Sequence, residues 1–442
     1  MSLERKAEEL GIKYFLISYC DLVGASRAKL VPAAAIRSMQ ENGAGFAGFA
    51  SWLDVTPADP DVLAMPDPES LTLMPWKPGV AWLAADLWMD GAPLAQAARN
   101  VLKRSLARAS ERGYELRTGV EPEFFLLTPD GSAIGDEQDC AVKPCYDQQA
   151  LLRRFDLISE ICDNLLQLGW EPYQNDHEDA NGQFEINWKY SNALVTADRH
   201  TFFKFMVKAL AEKHGLRATF MPKPFTKLTG NGCHVHLSLW DRTRNANLFH
   251  DPHGELGLST LAYGFLAGVL HSADALTAIA NPTVNSYRRL QAATTTSGAT
   301  WSPQTITYGG NNRTHMVRIP DAGRFEFRLA DGATNPYLLA AALLEAGLDG
   351  IDRRRTLPAR TDRNAYDSPT RILPGATPAG ECLPKPLPET LLDALRAFGA
   401  SEVLREGFGD RAVAGYLKLK QAEWRDYATQ VSRWEVEQTI DC

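Results

Sequence analysis

The sequence predicts a chain of mixed helices and strands in two unequal domains. Three features carry that expectation. The 442 residues suffice for one large core and a smaller one. The first 95 or so read as short strands and loops, and behind them strands alternate with long amphipathic helices.

In order, Ile12–Tyr19 and Ala28–Val31 read as strands. Loops punctuated by Pro57, Pro60, Pro66, Pro68, Pro75 and Pro78 follow. A helical pattern begins near Leu94, runs through Val101, Leu102 and Leu106, and stops at Gly113. The domain boundary is expected around that helix, giving 1–95 and 96–442. Apolar residues recur at helical spacing over Leu151–Leu168, Ala197–His214, Leu261–Ala280 and Asn335–Asp352. Asn335-Pro336 marks a helix start, an N-cap side chain followed by proline in the first turn. Leu391–Phe398 and Val413–Glu437 form a helical tail, and the segment around Gly375 reads as an ordered loop.

Composition narrows the class. Hydrophobic residues make up 45% and charged residues 23%, ordinary for a globular protein, and the net charge of -8 argues against nucleic acid or an acidic membrane as partner. No apolar run approaches the roughly 20 residues that span a bilayer, and Met1–Lys6 lacks the apolar stretch of a secretory signal. Seven cysteines, odd in number and scattered, suggest neither a disulfide framework nor a zinc site; Cys140 and Cys145 read as unrelated thiols. The expected setting is cytoplasmic.

The chemistry concentrates in pairs of residues separated by one position. His234 and His236 lie in Gly232-Cys-His-Val-His, behind glycines that admit close backbone approach. Glu121-Pro-Glu123 and Glu326-Phe-Arg328 repeat the skip, and Glu178 and Glu185 flank a Gly-Gln turn. Strand side chains alternate, so each pair shares a face. Five glutamates gathered around an imidazole would shift their pKa values and neutralise unless cations compensated them. Oxygen-rich ligation suits magnesium, and an imidazole per site makes manganese acceptable. Arg289, Arg313, Arg318, Arg324 and Arg328 accompany the acids; guanidinium forks match phosphate and carboxylate. Together they describe a phosphoryl-transfer site, with structural ion pairs between strands as the plainer alternative. No Walker loop or Ser-His-Asp arrangement stands out.

Taken together, the motifs resemble the glutamine synthetase family over nearly the whole chain: Glu121-Pro-Glu123, His177-Glu178 with Gly182-Gln183-Phe-Glu185, Met221-Pro-Lys-Pro-Phe225, Gly232-Cys-His234-Val-His236, Asn285-Ser-Tyr-Arg-Arg289, Asn312-Arg313, Arg318-Ile-Pro, and Arg324-Phe-Glu326-Phe-Arg328 before Asn335-Pro-Tyr. The resemblance implies an α+β fold: an N-terminal β-grasp domain and a catalytic domain with a curved antiparallel sheet and flanking helices. It implies two or three Mg2+ (or Mn2+) per site, ATP as nucleotide, and a dodecameric ring with active sites shared between subunits. One metal would take Glu123, Glu178 and Glu185; a second would take Glu121, His234 and Glu326. Arg289 and Arg328 would receive glutamate, Arg313 and Arg318 the phosphoryl group, and His236, Ser238 and Arg324 the nucleotide. The implied reaction phosphorylates the glutamate side chain, and an amine then displaces phosphate.

Two departures bear on the amine. Ammonia-using members carry an acid in an Asp-Gly-Ser-Ser loop, where this chain has Ala47 within Gly45–Trp52, and a flap glutamate where it has Thr295. A pocket lined instead by Phe46, Phe49, Trp52 or Trp301 should favour an amine with apolar surface. One buried methylene is worth about 0.8 kcal/mol, and a methyl-sized difference rarely discriminates beyond roughly 10–200-fold. With the Gly43–Gly48 and Asp179–Ile186 stretches, this resembles the γ-glutamylmethylamide synthetase branch, so methylamine is the expected amine. Glutamine synthesis from ammonia, γ-glutamylpolyamine synthesis and a non-catalytic assembly role are the alternatives. Thr229 stands where the family often has asparagine, and Tyr366 where some bacterial members are adenylylated, although a plain loop tyrosine is the simpler reading.

Overall fold

The computed structural model describes residues 2–292, 295–367 and 384–442; the loop expected around Gly375, and Cys382, lie outside them. Among the described residues, seven strands make one sheet and ten another.

The first sheet orders its longer strands Ser26–Pro32, Tyr14–Cys20, Val80–Met89, Val62–Pro66, Ala44–Phe46. Tyr14–Cys20 and Val80–Met89 run parallel at its centre, and helix Ile36–Asn42 crosses between the flanking strands, the β-grasp arrangement. Alternation gives the sheet two apolar faces. Phe15, Ile17, Tyr19, Leu83 and Ala85 close a small core, whereas Cys20, Trp82 and Ala84 belong to the large core.

That junction is also polar. Arg99, buried in helix Ala98–Glu111, pairs with Asp67 and Asp86 beside the first sheet and with Asp198 of helix Ala193–Lys213. Tyr337 donates to the same Asp198 carboxylate at 2.7 Å. Asn335 caps helix Pro336–Asp352, accepting from the backbone of Tyr337 and Leu338, and its side chain also donates to Asp21 O at 2.9 Å.

The second sheet orders Tyr308–Gly309, Val317–Arg318, Phe325–Phe327, Cys233–Asp241, Tyr114–Leu127, Gln183–Trp188 and Pro172–His177. It is antiparallel, as the resemblance implied, except at one end, where Tyr308–Gly309 pairs parallel with Val317–Arg318. Helices flank it. The single helix expected over Leu261–Ala280 is two, Thr260–His271 and Ala273–Ala280, bent by 75°. Similarly, Leu151–Leu168 divides at Arg154, and the tail divides after Ala428. Apolar period survives the first two bends because each piece still buries residues, whereas the last tail helix, Arg433–Thr439, buries none. Among the described residues no helix is long and apolar enough to cross a membrane.

Helix Pro336–Asp352 runs through the large core, and glycines permit its closest contact. A Cβ on Gly268 would stand 1.9 Å from Ala346 O and 2.7 Å from Gly350 N. The two helices therefore touch backbone to backbone, which any larger residue would prevent.

Candidate active site

The site is built by register. Glu121 and Glu123 project from one face of strand Tyr114–Leu127. On one side, Glu185 stands directly opposite Glu123. On the other, His234 stands opposite Glu121, and His236 faces Glu326 across the next pairing. Arg318 is registered with Glu326 on the strand beyond. Five adjacent segments thus contribute to one face of the sheet, and a one-residue slip in any of them would send its side chains to the opposite face.

Three groups of ligand atoms result, each mutually within 4.8 Å: Glu123, Glu178 and Glu185; Glu121, Glu185 and His234; Glu121, His236 and Glu326. The first is the set that resemblance implied. The expected second set, Glu121, His234 and Glu326, is drawn together less tightly, His234 Nδ1 lying 3.5 Å from a carboxylate oxygen of each glutamate. His236 Nε2 is closer to Glu121, at 2.9 Å, so the histidine assigned to nucleotide sits among the acids.

The electrostatics divide the acids. Burial, with Glu123 and Asp176 nearby, pushes the Glu178 carboxyl well above its ordinary range, and burial with Glu121, Glu178 and Glu123 does the same to Glu185. Glu121 goes the other way: against the burial cost, hydrogen bonds from His234 and His236 hold it well down. Glu326 is completely buried, yet Arg328 and the two histidines bring its pKa to about 2. These residues fit divalent cations. His234 Nε2 is buried without a hydrogen-bond partner, an imidazole lone pair available to a metal, and Glu178 and Glu185 are crowded by like charge that a cation would relieve.

Neighbouring groups hold the ligands in place. Glu123 Oε2 accepts from Gly232 N at 2.7 Å and Gln183 Nε2 at 2.9 Å. Asn187 Nδ2 donates to Glu185 at 3.0 Å. A Cβ on Gly232 would meet Glu123 Oε1 at 2.9 Å and His234 Nε2 at 3.0 Å, so the ligands converge only because glycine stands there. His177 Nε2 pairs with Asp139 at 2.7 Å, and Asp139 also accepts from Asn181 Nδ2 and Gly182 N, fixing the turn between Glu178 and Glu185. Asp139 belongs to no motif and was not anticipated.

The arginines are less uniform than expected. Arg318 Nη1 bonds Glu326 at 2.7 Å, and Arg328 Nη1 bonds its other oxygen. Arg328 Nε is buried and unpartnered, and Arg289, equally buried, gives Nη1 to Leu329 O at 3.1 Å. Arg324 is held by Asp321 and touches His236 Nδ1 at 2.5 Å. Ser238, two residues along the same strand face, accepts from Trp240 Nε1. Arg313 remains exposed on a turn, outside the buried group. Burial raises the Tyr366 hydroxyl above its ordinary pKa while Thr300, Arg328 and Arg289 oppose the shift; this tyrosine faces inward rather than forming a plain surface loop.

Of the aromatic residues expected around the amine, only Trp301 lies beside this cluster, its Nε1 donating to Asp179 Oδ2 at 2.6 Å. Phe46 packs edge-on against Tyr19, and Phe49 and Trp52, in the turns that follow strand Ala44–Phe46, are half exposed.

A curved sheet that converges acids, imidazoles and arginines on one face defines a metal-dependent phosphoryl-transfer enzyme. The chain belongs to the glutamine synthetase family: residues 95–439 match the family model described as glutamine synthetase, catalytic domain. It is an ATP-dependent ligase of that family, which works with divalent metals. A glutamine synthetase of Rhizobium meliloti (strain 1021) is 56% identical over 100% of this chain and 99% of that protein. A glutamate–methylamine ligase of Methyloversatilis universalis is 42% identical over 98% of this chain and 97% of its own length. A solved structure described as a GmaS/ADP complex superposes with a TM-score of 0.94 at 60% identity, covering 100% of both chains.

Proposed function

We propose that the protein joins glutamate to methylamine, giving γ-glutamylmethylamide through a γ-glutamyl phosphate. The observation that carries the amine is the loss of both ammonium-attracting acids, with Ala47 exposed and Thr295 in their places. The likeness to the GmaS structure and to the methylamine ligase supports it.

Glu123, Glu178 and Glu185 would hold one Mg2+, and Glu121, His234 and Glu326 another, with Mn2+ able to substitute and a third ion allowed for. Ions bound there would offset phosphate charge as it moves between oxygens. Arg289 and the free Nε of Arg328 would hold glutamate by its carboxylates. Arg318, with Arg313 at the solvent edge, would neutralise the phosphoryl group in flight. His236, Ser238 and Arg324 would orient the nucleotide. The chain's own work is therefore placement: three reactants held in line, with their charges balanced before reaction.

The active unit is proposed to be a dodecamer with shared sites, and residues 1–95 to be the domain that a neighbour's site borrows. Phe49 and Trp52, exposed at 53% and 52%, would then complete the amine pocket of an adjacent subunit. Tail residues Trp434 and Ile440, exposed at 68% and 71%, suit a second contact. Free thiols at Cys20, Cys140, Cys145, Cys162, Cys233 and Cys442 suit the reducing cytoplasm.

The test is ADP release with glutamate fixed and the amine varied among ammonia, methylamine, ethylamine and putrescine. Methylamine should give the highest kcat/KM, with ammonia slower. A clear preference for ammonia would establish the second reading, glutamine synthesis, which the Rhizobium relatives favour. Preference for putrescine would indicate polyamine ligation, and no ADP release with any amine a non-catalytic role.

A further inference from the structure

With Ala47 and Thr295 in the usual acid positions, the site still needs a negative group to receive a cationic amine. One carboxylate beside the metal cluster has so far been given no chemical task. Asp179 follows Glu178 directly, is only 7% exposed, and its backbone N donates to Glu178 Oε2 at 3.1 Å. Its Oδ2 accepts from Ser297 Oγ at 2.5 Å and from Trp301 Nε1 at 2.6 Å. Both donors belong to the segment that carries Thr295. No described hydrogen bond goes to Oδ1.

Two further links tie Asp179 to the substrate-facing arginine. Thr229 Oγ1 donates to Asp179 O at 3.0 Å, and its neighbour Gly230 lies against Arg289, whose Cγ would be 3.2 Å from a Cβ there. Ser302, next to Trp301, donates to Arg289 O at 3.1 Å. Trp301 itself is held at φ +55°, a left-handed conformation unfavourable to so large a side chain. Such strain persists where surroundings demand it, and here the indole bond to Asp179 is the demand.

We propose that Asp179 is the specificity-determining acid of the amine site: its carboxylate receives the alkylammonium, and Trp301, anchored on the same carboxylate, presents its ring as the wall against the alkyl group. The pairing has a simple logic. A carboxylate that already accepts from an indole N–H is fixed in orientation, so a cation meets it without reorganising the site. An aromatic face adjoining it attracts alkylammonium by both apolar contact and cation–π attraction. Ammonia-using members place one of their two acids on the flap itself; this chain has Thr295 there and ties that segment to an acid on the metal-bearing turn. The inference rests on the amine-ligase reading above.

The experiment compares Asp179→Asn with the wild type at saturating Mg2+, using methylamine and hydroxylamine as alternative nucleophiles. Methylamine is a cation at neutral pH, whereas hydroxylamine is uncharged and has no need of an acid. The variant should lose about 10- to 100-fold in kcat/KM for methylamine, mostly through KM. KM for glutamate and ATP should move less than about threefold, as should hydroxamate formation. Trp301→Phe keeps the carboxylate and aromatic wall but loses the anchoring N–H, and should raise KM for methylamine more than for ammonia. An equal loss with both nucleophiles, or an unchanged methylamine KM, would overturn the assignment. Failure of Asp179→Asn to fold would leave Trp301→Phe and Ser297→Ala to decide: KM values for methylamine unchanged in both would refute it. If the wild type prefers ammonia, the methylamine reading fails separately, and Asp179 is then judged by the ammonium KM against hydroxylamine.

Discussion

Glu123 and Glu185 face each other directly across an antiparallel strand pair, two like charges that the pleat holds side by side. Like-charged residues in such a position destabilise a sheet, so this protein stores unfavourable electrostatics in its centre. Removing one charge should expose that stored cost. Glu185→Gln is expected to raise the Tm of the metal-free protein, to reduce the Tm gain on adding Mg2+, and to lower turnover by about 100-fold or more. Calorimetry with and without Mg2+ checks the first two and ADP release the third; a metal-free Tm that falls would contradict the charge argument.

The raised carboxyls Glu178 and Glu185 set a pH dependence. Below the ordinary glutamate value of 4.5, they are protonated in both folded and unfolded chains. As pH rises above it, unfolded glutamates ionise while the buried pair resists, so the folded state binds more protons and the metal-free protein loses stability. A divalent ion must displace those protons, so its affinity should climb over the same interval. Titration calorimetry across pH should show proton release on Mg2+ binding; no release would mean the pair is already ionised.

Glu326 lies between Arg318 and Arg328. Truncation to alanine would abolish turnover but also leave two guanidiniums unpaired, so loss of activity would not isolate a ligand role. Glu326→Gln preserves the volume and some hydrogen bonding. It should cost about 100-fold or more in kcat with the oligomeric state unchanged, measured by ADP release and by sedimentation. Substantial activity in the variant would refute its part in catalysis.

Arg99 ties Asp67, Asp86 and Asp198 together where the two sheets meet. Breaking a buried ion pair from one side costs about 3–5 kcal/mol, because partners remain charged without compensation. Arg99→Met should therefore lower the unfolding midpoint in urea strongly. A shift below about 1 kcal/mol would show that water reaches these aspartates.

Gly268→Ala should weaken the helix pair that crosses at Gly350. The added methyl would meet Ala346 O and Gly350 backbone, which cannot rotate away. Overpacking of this kind costs typically about 1–3 kcal/mol, readable as a lower Tm with the KM for ATP unchanged.

Much of the site was legible in the sequence because strand period is local. Glu121 with Glu123, His234 with His236, and Glu326 with Arg328 share faces by spacing alone, and no tertiary knowledge is needed to see it. Helix existence followed in the same way from apolar period, whereas the 75° bend between Thr260–His271 and Ala273–Ala280 left no mark on that period.

Pairing between strands is a different matter. That Glu185 meets Glu123, that His236 rather than His234 lies nearest Glu121, and that Arg328 turns to Glu326 were decided by register and by competition among charges. So were the Asp139–His177 pair and the hold of Asp179 on Trp301, whose partners lie 38 and 122 positions apart. Sequence determines which groups are on offer and which face each takes, since those depend on backbone geometry over a few residues. Which groups meet is settled only when the whole sheet closes, because burial then makes every unpaired charge expensive.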